Sequence, residues 1–237
     1  MLVLVELIVV NYYFFAEKYN DMIETKKRLA IIGTKTFAEQ LTDIAVQTGK
    51  YVVVGYYDNV EPAGNVVYGR PVLGKVDDAI CDYKKNKFDC IFIGVGYTRF
   101  DLREHFYDQV KGVIPMANLI MPSCQIDESA ILGEGIYVGP LSRISPHAVI
   151  DDNVFIHGGC SVGHNTHIHS HCYLSGSDYI AGFCEIGVKT FVGLGVCIAD
   201  HVTVCGDVWI GIGCVVANDI RLPGKYVTPS MRLVKMG

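Results

Sequence analysis

Residues 162 to 174 read VGHNTHIHSHCYL and place four histidines, His164, His167, His169 and His171, within eight residues. Imidazole changes charge near neutral pH, so a cluster of this density fits three chemistries: a metal site, a general base, or a polar face rich in imidazole. The side-chain types cannot separate these readings. The direction in which the backbone points each side chain can.

That direction follows from a repeat. Counting in sixes from Ile126 gives Ile126, Leu132, Val138, Ile144, Ile150, Ile156, Val162, Ile168, Leu174, Ile180, Ile186, Val192, Ile198, Val204, Ile210 and Val216, sixteen aliphatic residues in sixteen hexads without an insertion. Neither a helix nor a plain strand produces a strict period of six. The residue after each aliphatic one is mostly Gly, Ala, Ser or Asp, as a corner requires. A corner in every hexad predicts a β-helix of three short strands per coil, in which residue i stacks on i+18. The first and fifth positions point inward, leaving the third, fourth and sixth outward.

This frame puts His164 at a third position, His167 at a sixth, His169 at a corner and His171 at a fourth. They are therefore not expected to share one ligand set, and no metal site is expected. Cys160, Cys172, Cys184 and Cys214 all fall at fifth positions, where they are read as small buried hydrophobes. An interior filled by aliphatic side chains is dry, so chemistry is expected on outer surfaces, most of all where prisms of neighbouring subunits meet.

The bulk numbers remove other classes. A chain of 237 residues suggests two domains. A net charge of −5 without a dense Lys/Arg run gives no footprint for nucleic acid. Nine cysteines without a CxxC pair suggest free thiols in a reducing cytoplasm. The opening MLVLVELIVVNYYFF is apolar but carries Glu6, falls short of the roughly 20 residues needed to span a bilayer, and lacks the basic region of a signal peptide. Residues 1–24 are read as a leader, a misassigned start or a short interfacial helix, and no stable membrane anchor is expected.

Residues 25–120 have a different rhythm. RLAIIG reads as a buried strand ending at Gly33, and Thr36 to Gln47 as a helix opened by a capping-type threonine with Glu39 behind it. YVVVGYYD is a second strand ending at Asp58, and FDCIFIGVG a third ending at Gly94 and Gly96. This is a Rossmann-like α/β domain, whose ligands sit beyond the carboxyl ends of the strands, although GTKTFAE has one glycine where a dinucleotide fingerprint has three. Asp58 is placed to accept hydrogen bonds from a base or ribose.

Together, IIGTKT, VVGYYDN, GRPVLG, FIGVGYTR, ILGEGIYVGP and CSVGHNTHIHSHCYLSG give the chain a form that resembles the bacterial sugar acyltransferases, the UDP-amino-sugar N-acetyltransferases and sialic acid O-acetyltransferases, over about residues 28 to 235. The resemblance implies a left-handed hand for the β-helix of residues 121–224, with a tail at 225–237. It implies a cytoplasmic homotrimer, acetyl-CoA as acyl donor in the groove between prisms, and a nucleotide-activated amino sugar on the first domain. His164, within V-x-H, takes the place of the general base, with Asn165 beside it where relatives carry an orienting carboxylate. Tyr173 stands where relatives have a cofactor-contacting histidine, and Gly182, one coil beyond His164, where a glycine amide meets acetyl-CoA. Arg232 and Lys235 are the remaining candidates for the CoA phosphates. Gly33, Lys35, Asp58, Gly94 and Arg99 are the implied nucleotide-sugar residues, with Asp178 a further sugar candidate.

Three other functions stay open at this level. An O-acetyltransferase would demand a stronger base, because a sugar hydroxyl is less nucleophilic than an amine. A noncatalytic trimeric scaffold would keep the prism alone. A zinc hydratase would use His164 and His169, five apart, but its third histidine would fall where the chain has Glu128.

Overall fold

A computed structural model describes residues 26 to 228. The leader, together with Arg232 and Lys235, lies outside them. The first domain is built on a five-stranded sheet of order β3-β4-β2-β1-β5, comprising β1 (Lys27–Ile32), β2 (Tyr51–Tyr57), β3 (Val66–Val67), β4 (Arg70–Gly74) and β5 (Cys90–Ile93). All pairings are parallel except β3 with β4. Alternation along β1 feeds both faces. Leu29 and Ile31 pack with α1 (Thr36–Gln47), whereas Ala30 and Ile32 pack against the side covered by α2 (Ala79–Lys84) and α3 (Phe100–Val110).

From β6 (Leu119–Ile120) to β23 (Gly224–Tyr226) the chain winds a parallel β-helix with three faces of seven, six and five strands. Successive coils add strands of two or three residues to the faces, in 18-residue register over most of the prism, as in Phe155 opposite Tyr173 and His167 opposite Glu185. First- and fifth-position residues form a continuous buried core from Ile136 to Ile220, including Cys160, Cys172, Cys184 and Cys214. The prism begins one hexad before the periodic run, and Gly224–Tyr226 adds a strand where a tail is expected from residue 225.

The bend differs from the expected one. The turn falls on the third and fourth positions of each hexad, and the fourth residue takes left-handed backbone in Asn153, Asn165, His171, Ser177, Phe183, Lys189 and His201. Asn tolerates that conformation best among non-glycine residues, which accounts for the asparagines at this position. Second-position residues therefore continue the flat face and do not round a corner.

The seven-stranded face carries the first domain. Its sixth-position column, Tyr137, Phe155, Tyr173, Phe191 and Trp209, points out of the prism and packs beneath the side of the sheet that carries α1. Phe92 stacks on Phe155 with centroids 5.5 Å apart, and Tyr97 meets Tyr173, Phe191 and Trp209. From α3, Tyr107 donates to Asp152 at 2.6 Å, Lys189 reaches Glu104 at 3.2 Å, and the buried Arg103 donates to the carbonyls of His171 and Cys172. The Arg103 guanidinium lies over Phe155, 4.4 Å from the ring centroid. Burial pushes its pKa down to about 10.

Candidate functional site

Because the seven-stranded face is covered, the opposite edge of the prism is the turn between the six- and five-stranded faces. His164 stands there, between β13 (Ser161–Val162) and β14 (His167–Ile168), with its ring exposed. Asn165 Oδ1 lies 3.1 Å from His164 Nδ1. A carbonyl oxygen only accepts, so this contact puts the proton on Nδ1 and leaves the Nε2 lone pair free. Phe183 presents its ring to His164 edge-on at 5.0 Å, and His201 stacks on Phe183 at 4.8 Å.

Gly182 stacks one coil along. A β carbon there would lie 2.9 Å from both Nε2 and Cε1 of His164, so the imidazole occupies space that only glycine leaves. Among the described residues the Gly182 N–H meets no backbone acceptor. A free base nitrogen and an unpaired backbone donor one coil apart make a surface able to take a proton and hold a carbonyl oxygen.

In the first domain, Gly33 and Gly94 end the adjacent strands β1 and β5. Their amides donate to Tyr57 O and Ile32 O, each at 2.8 Å. Gly33 has φ +106, and a β carbon on it would come within 3.1 Å of Gly94 O. The chain leaves β1 toward β2 on one side and returns to β5 on the other, so this crevice is the topological switch point where α/β sheets hold ligands. Lys35 is exposed at the start of α1, which has no side-chain cap; Thr36 is its first helical residue rather than the expected cap. Asp58 accepts from Thr34 Oγ1 at 2.6 Å and from the amides of Val60 and Glu61 at 2.7 and 3.1 Å. Burial raises the pKa of its carboxyl, but these donors outweigh it and hold the group below the usual carboxylate range. Oδ2 keeps a free lone pair for a ligand hydroxyl. Arg99 is exposed after the third strand-end loop.

Three placements differ from expectation. Tyr173 is only 6% exposed and is packed between Phe155 and Phe191 on the face remote from His164, so in this chain it belongs to the join and is withdrawn from any cofactor. A sixth position points out of the prism, but this face is covered. Asp178 is fully buried at a fifth position, accepting from the amides of Val196 and Gly176 inside the prism, and so cannot reach a sugar. Burial pushes its pKa up to about 6. His171, expected to face outward, is buried under α3, its Nδ1 2.8 Å from Asn153 Nδ2 and its ring against Tyr107.

Sequence reasoning missed Phe183 and His201, which continue the His164 edge. The signal was available, since Asn165, Phe183 and His201 are successive members of one 18-residue column. It also separated His167 from His169. With the turn at the third and fourth positions, both lie on the five-stranded face, their ring centroids 4.0 Å apart.

The family model for the PglD N-terminal domain matches residues 28–110. No curated protein sequence matches the chain. Among solved structures, perosamine N-acetyltransferase (PerB) from Caulobacter crescentus, in complex with CoA and GDP-perosamine, is 26% identical, covering 85% of this chain and 94% of that one with a TM-score of 0.74. A mutant form of the same enzyme gives 25% identity, coverage of 85% and 93%, and a TM-score of 0.75. The acetyltransferase domain of PglB from Neisseria gonorrhoeae, at 24% identity, covers 86% of this chain and 97% of its own with a TM-score of 0.77, a likeness of fold. The domain model covers the first domain and these structures span both, so the chain is similar along its length to sugar N-acetyltransferases that join such a domain to a β-helix.

Proposed function

We propose that this protein transfers the acetyl group of acetyl-CoA, as acyl donor substrate, to the amine of a nucleotide-linked amino sugar. The observation that carries this reading is the His164 edge, where Asn165 fixes the tautomer and Gly182 clears the space before Nε2. Nε2 takes the proton shed as the amine attacks the thioester carbon. The new C–N bond forms, the C–S bond breaks and CoA thiolate leaves. The Gly182 N–H is offered to the thioester oxygen as it gains charge. The PerB structure that resembles this chain along its length holds CoA and GDP-perosamine, which supports both substrate classes.

Within one chain the nucleotide crevice lies by the covered face and the base on the opposite edge. We infer that the protein works as a cytoplasmic homotrimer, in which the base of one subunit serves the sugar held by its neighbour. The six-stranded face supports association: Tyr179 and Val215 on it are 60% and 75% exposed, an apolar strip that a monomer would leave in water. Among the described residues no helix is long and apolar enough to cross a membrane. Gly33, Lys35, Asp58, Gly94 and Arg99 are proposed for the nucleotide sugar.

The test is acetyl transfer followed by mass spectrometry over UDP-, dTDP- and GDP-linked amino sugars. One accepted substrate and a large loss on His164→Ala are expected. No acetylated product, or an unchanged rate in the variant, would sink the assignment.

A further inference from the structure

The five-stranded face holds an arrangement that acyl transfer does not use. In a hexad whose first residue points inward, the sixth residue of the preceding hexad and the second of its own flank it and both point outward. On this face those positions bring together Asp151 from one coil, His167 and His169 from the next, and Glu185 from the third. Asp151 spans the two imidazoles, with Oδ1 2.9 Å from His167 Nε2 and Oδ2 3.2 Å from His169 Nδ1. Glu185 Oε1 bonds the far nitrogen of His169, Nε2, and lies 3.6 Å from His167 Nδ1. Ligand atoms of Asp151, His167 and His169 all fall within 4.8 Å of one another. These side chains are about one third exposed, at 33%, 31% and 30%, so solvent and ions reach them.

We propose that Asp151, His167 and His169 bind a single divalent transition-metal ion, zinc by the chemistry of the donors. Two imidazoles and one carboxylate suit zinc better than calcium or magnesium, which favour oxygen shells. Atoms bound about 2.0–2.2 Å from a tetrahedral ion lie about 3.3 Å from each other. The contacts of Asp151 with the two rings already have close to that spacing. Glu185 holds the nitrogen of His169 that faces away from Asp151, which is how carboxylates orient metal-bound histidines and fix their tautomer. Three protein ligands leave the fourth position to water. The ion would tie two coils directly, with Glu185 bracing it from a third. This site is independent of the His164 edge and of the acyl-transfer reading.

The rival state is a hydrogen-bonded cluster with no affinity for an ion, and direct binding separates the two. Chelator-stripped full-length protein is titrated with zinc against a chromophoric chelator, and separately with cobalt while its visible spectrum is followed. Wild-type protein should take one equivalent per chain. The His167→Gln/His169→Gln double variant, with its fold checked by circular dichroism, should lose affinity by more than about 100-fold, and Glu185→Gln by about 10- to 100-fold at unchanged stoichiometry. Asp151→Asn, a near-isosteric change at a solvent-reached position, gives the same reading as the double variant should that variant misfold. His164→Asn should bind as wild type does. Cobalt should show ligand-field bands without a thiolate charge-transfer band, which excludes the nine thiols. Unchanged zinc affinity in the double variant, a thiolate band, or no zinc held against the chelator would overturn the proposal.

Discussion

Gly182 lies directly beneath the imidazole of His164, so close that a β carbon would sit 2.9 Å from Nε2. Its backbone is outside the left-handed region, so an alanine there needs no unfavourable φ; its β carbon presses first on the ring, with the His164 carbonyl oxygen next at 3.2 Å. The ring is on an exposed edge and can swing away. Gly182→Ala should therefore keep Tm within a few degrees of wild type while kcat/KM falls about 10- to 100-fold, the scale expected when a base is displaced from its proton. Steady-state kinetics beside thermal unfolding checks this. An unchanged kcat/KM would separate Gly182 from the chemistry.

Asn165 does two jobs that substitution can pull apart. Its left-handed backbone, φ +57, forms the corner, and its Oδ1 holds His164 Nδ1. Asn165→Gly keeps the corner without strain and removes the anchor, so kcat should fall about 10-fold with little change in Tm. Asn165→Asp keeps both the corner and an acceptor for Nδ1–H, and should retain at least the wild-type rate. If the glycine variant keeps the full rate, the asparagine serves the turn alone.

The repeat made the prism legible because a strict period of six leaves the backbone one way to bury its aliphatic column, and the buried first and fifth positions from Ile136 to Ile220 follow it. The same count placed His164 on an outer edge. What it could not show was which outer face would be covered. Tyr173 points out of the prism as the hexad requires, yet the sheet of the first domain packs over it, a contact between segments far apart in sequence that no local period encodes. The corner was misplaced for a local reason. Small residues at second positions suggested the bend, whereas the chain turns two residues later, where Asn153 and Asn165 accept positive φ. That shift joined His167 to His169. Asp178 was legible and misread, since its fifth position predicts the burial it shows, which rules out the sugar contact expected of it.

Two buried groups should tilt stability with pH in opposite senses. Burial raises the Asp178 carboxyl from 3.8 to about 6, so the folded state binds the extra proton between those values, and stability falls as pH rises through them. Burial, then the nearby Arg103 charge, lowers His157 from 6.5 to about 4, so the unfolded state binds the extra proton, and stability rises with pH from about 4 to 6.5. His171, lowered mainly by burial, adds to the second trend. Asp178→Asn should therefore steepen the rise of Tm between pH 4 and 6, and His157→Phe should flatten or reverse it. The phenylalanine should also raise Tm at neutral pH, because His157 Nε2 is buried without a partner among Phe37, Tyr137 and Tyr173. Leaving such a group unpaired costs about 1–3 kcal/mol. Thermal unfolding at half-unit pH steps checks both signs.

Placing the nucleotide crevice and the base on opposite sides of one prism leads to a complementation experiment. His164→Asn removes the base and leaves the crevice intact. Gly94→Val removes the crevice, because the side chain would meet Ile32 O and Ile31 at the floor of the switch point, and leaves the edge intact. Each homotrimer should be inactive. Chains co-expressed with different tags and purified through both should form mixed trimers in which an intact base faces an intact crevice on the next subunit. If the two sets come from neighbouring chains, activity should return to about one third of wild type, because a cyclic trimer of either mixed composition has one productive pairing out of three. If one chain used its own base on its own sugar, no mixture would recover activity, since every chain carries one of the two lesions.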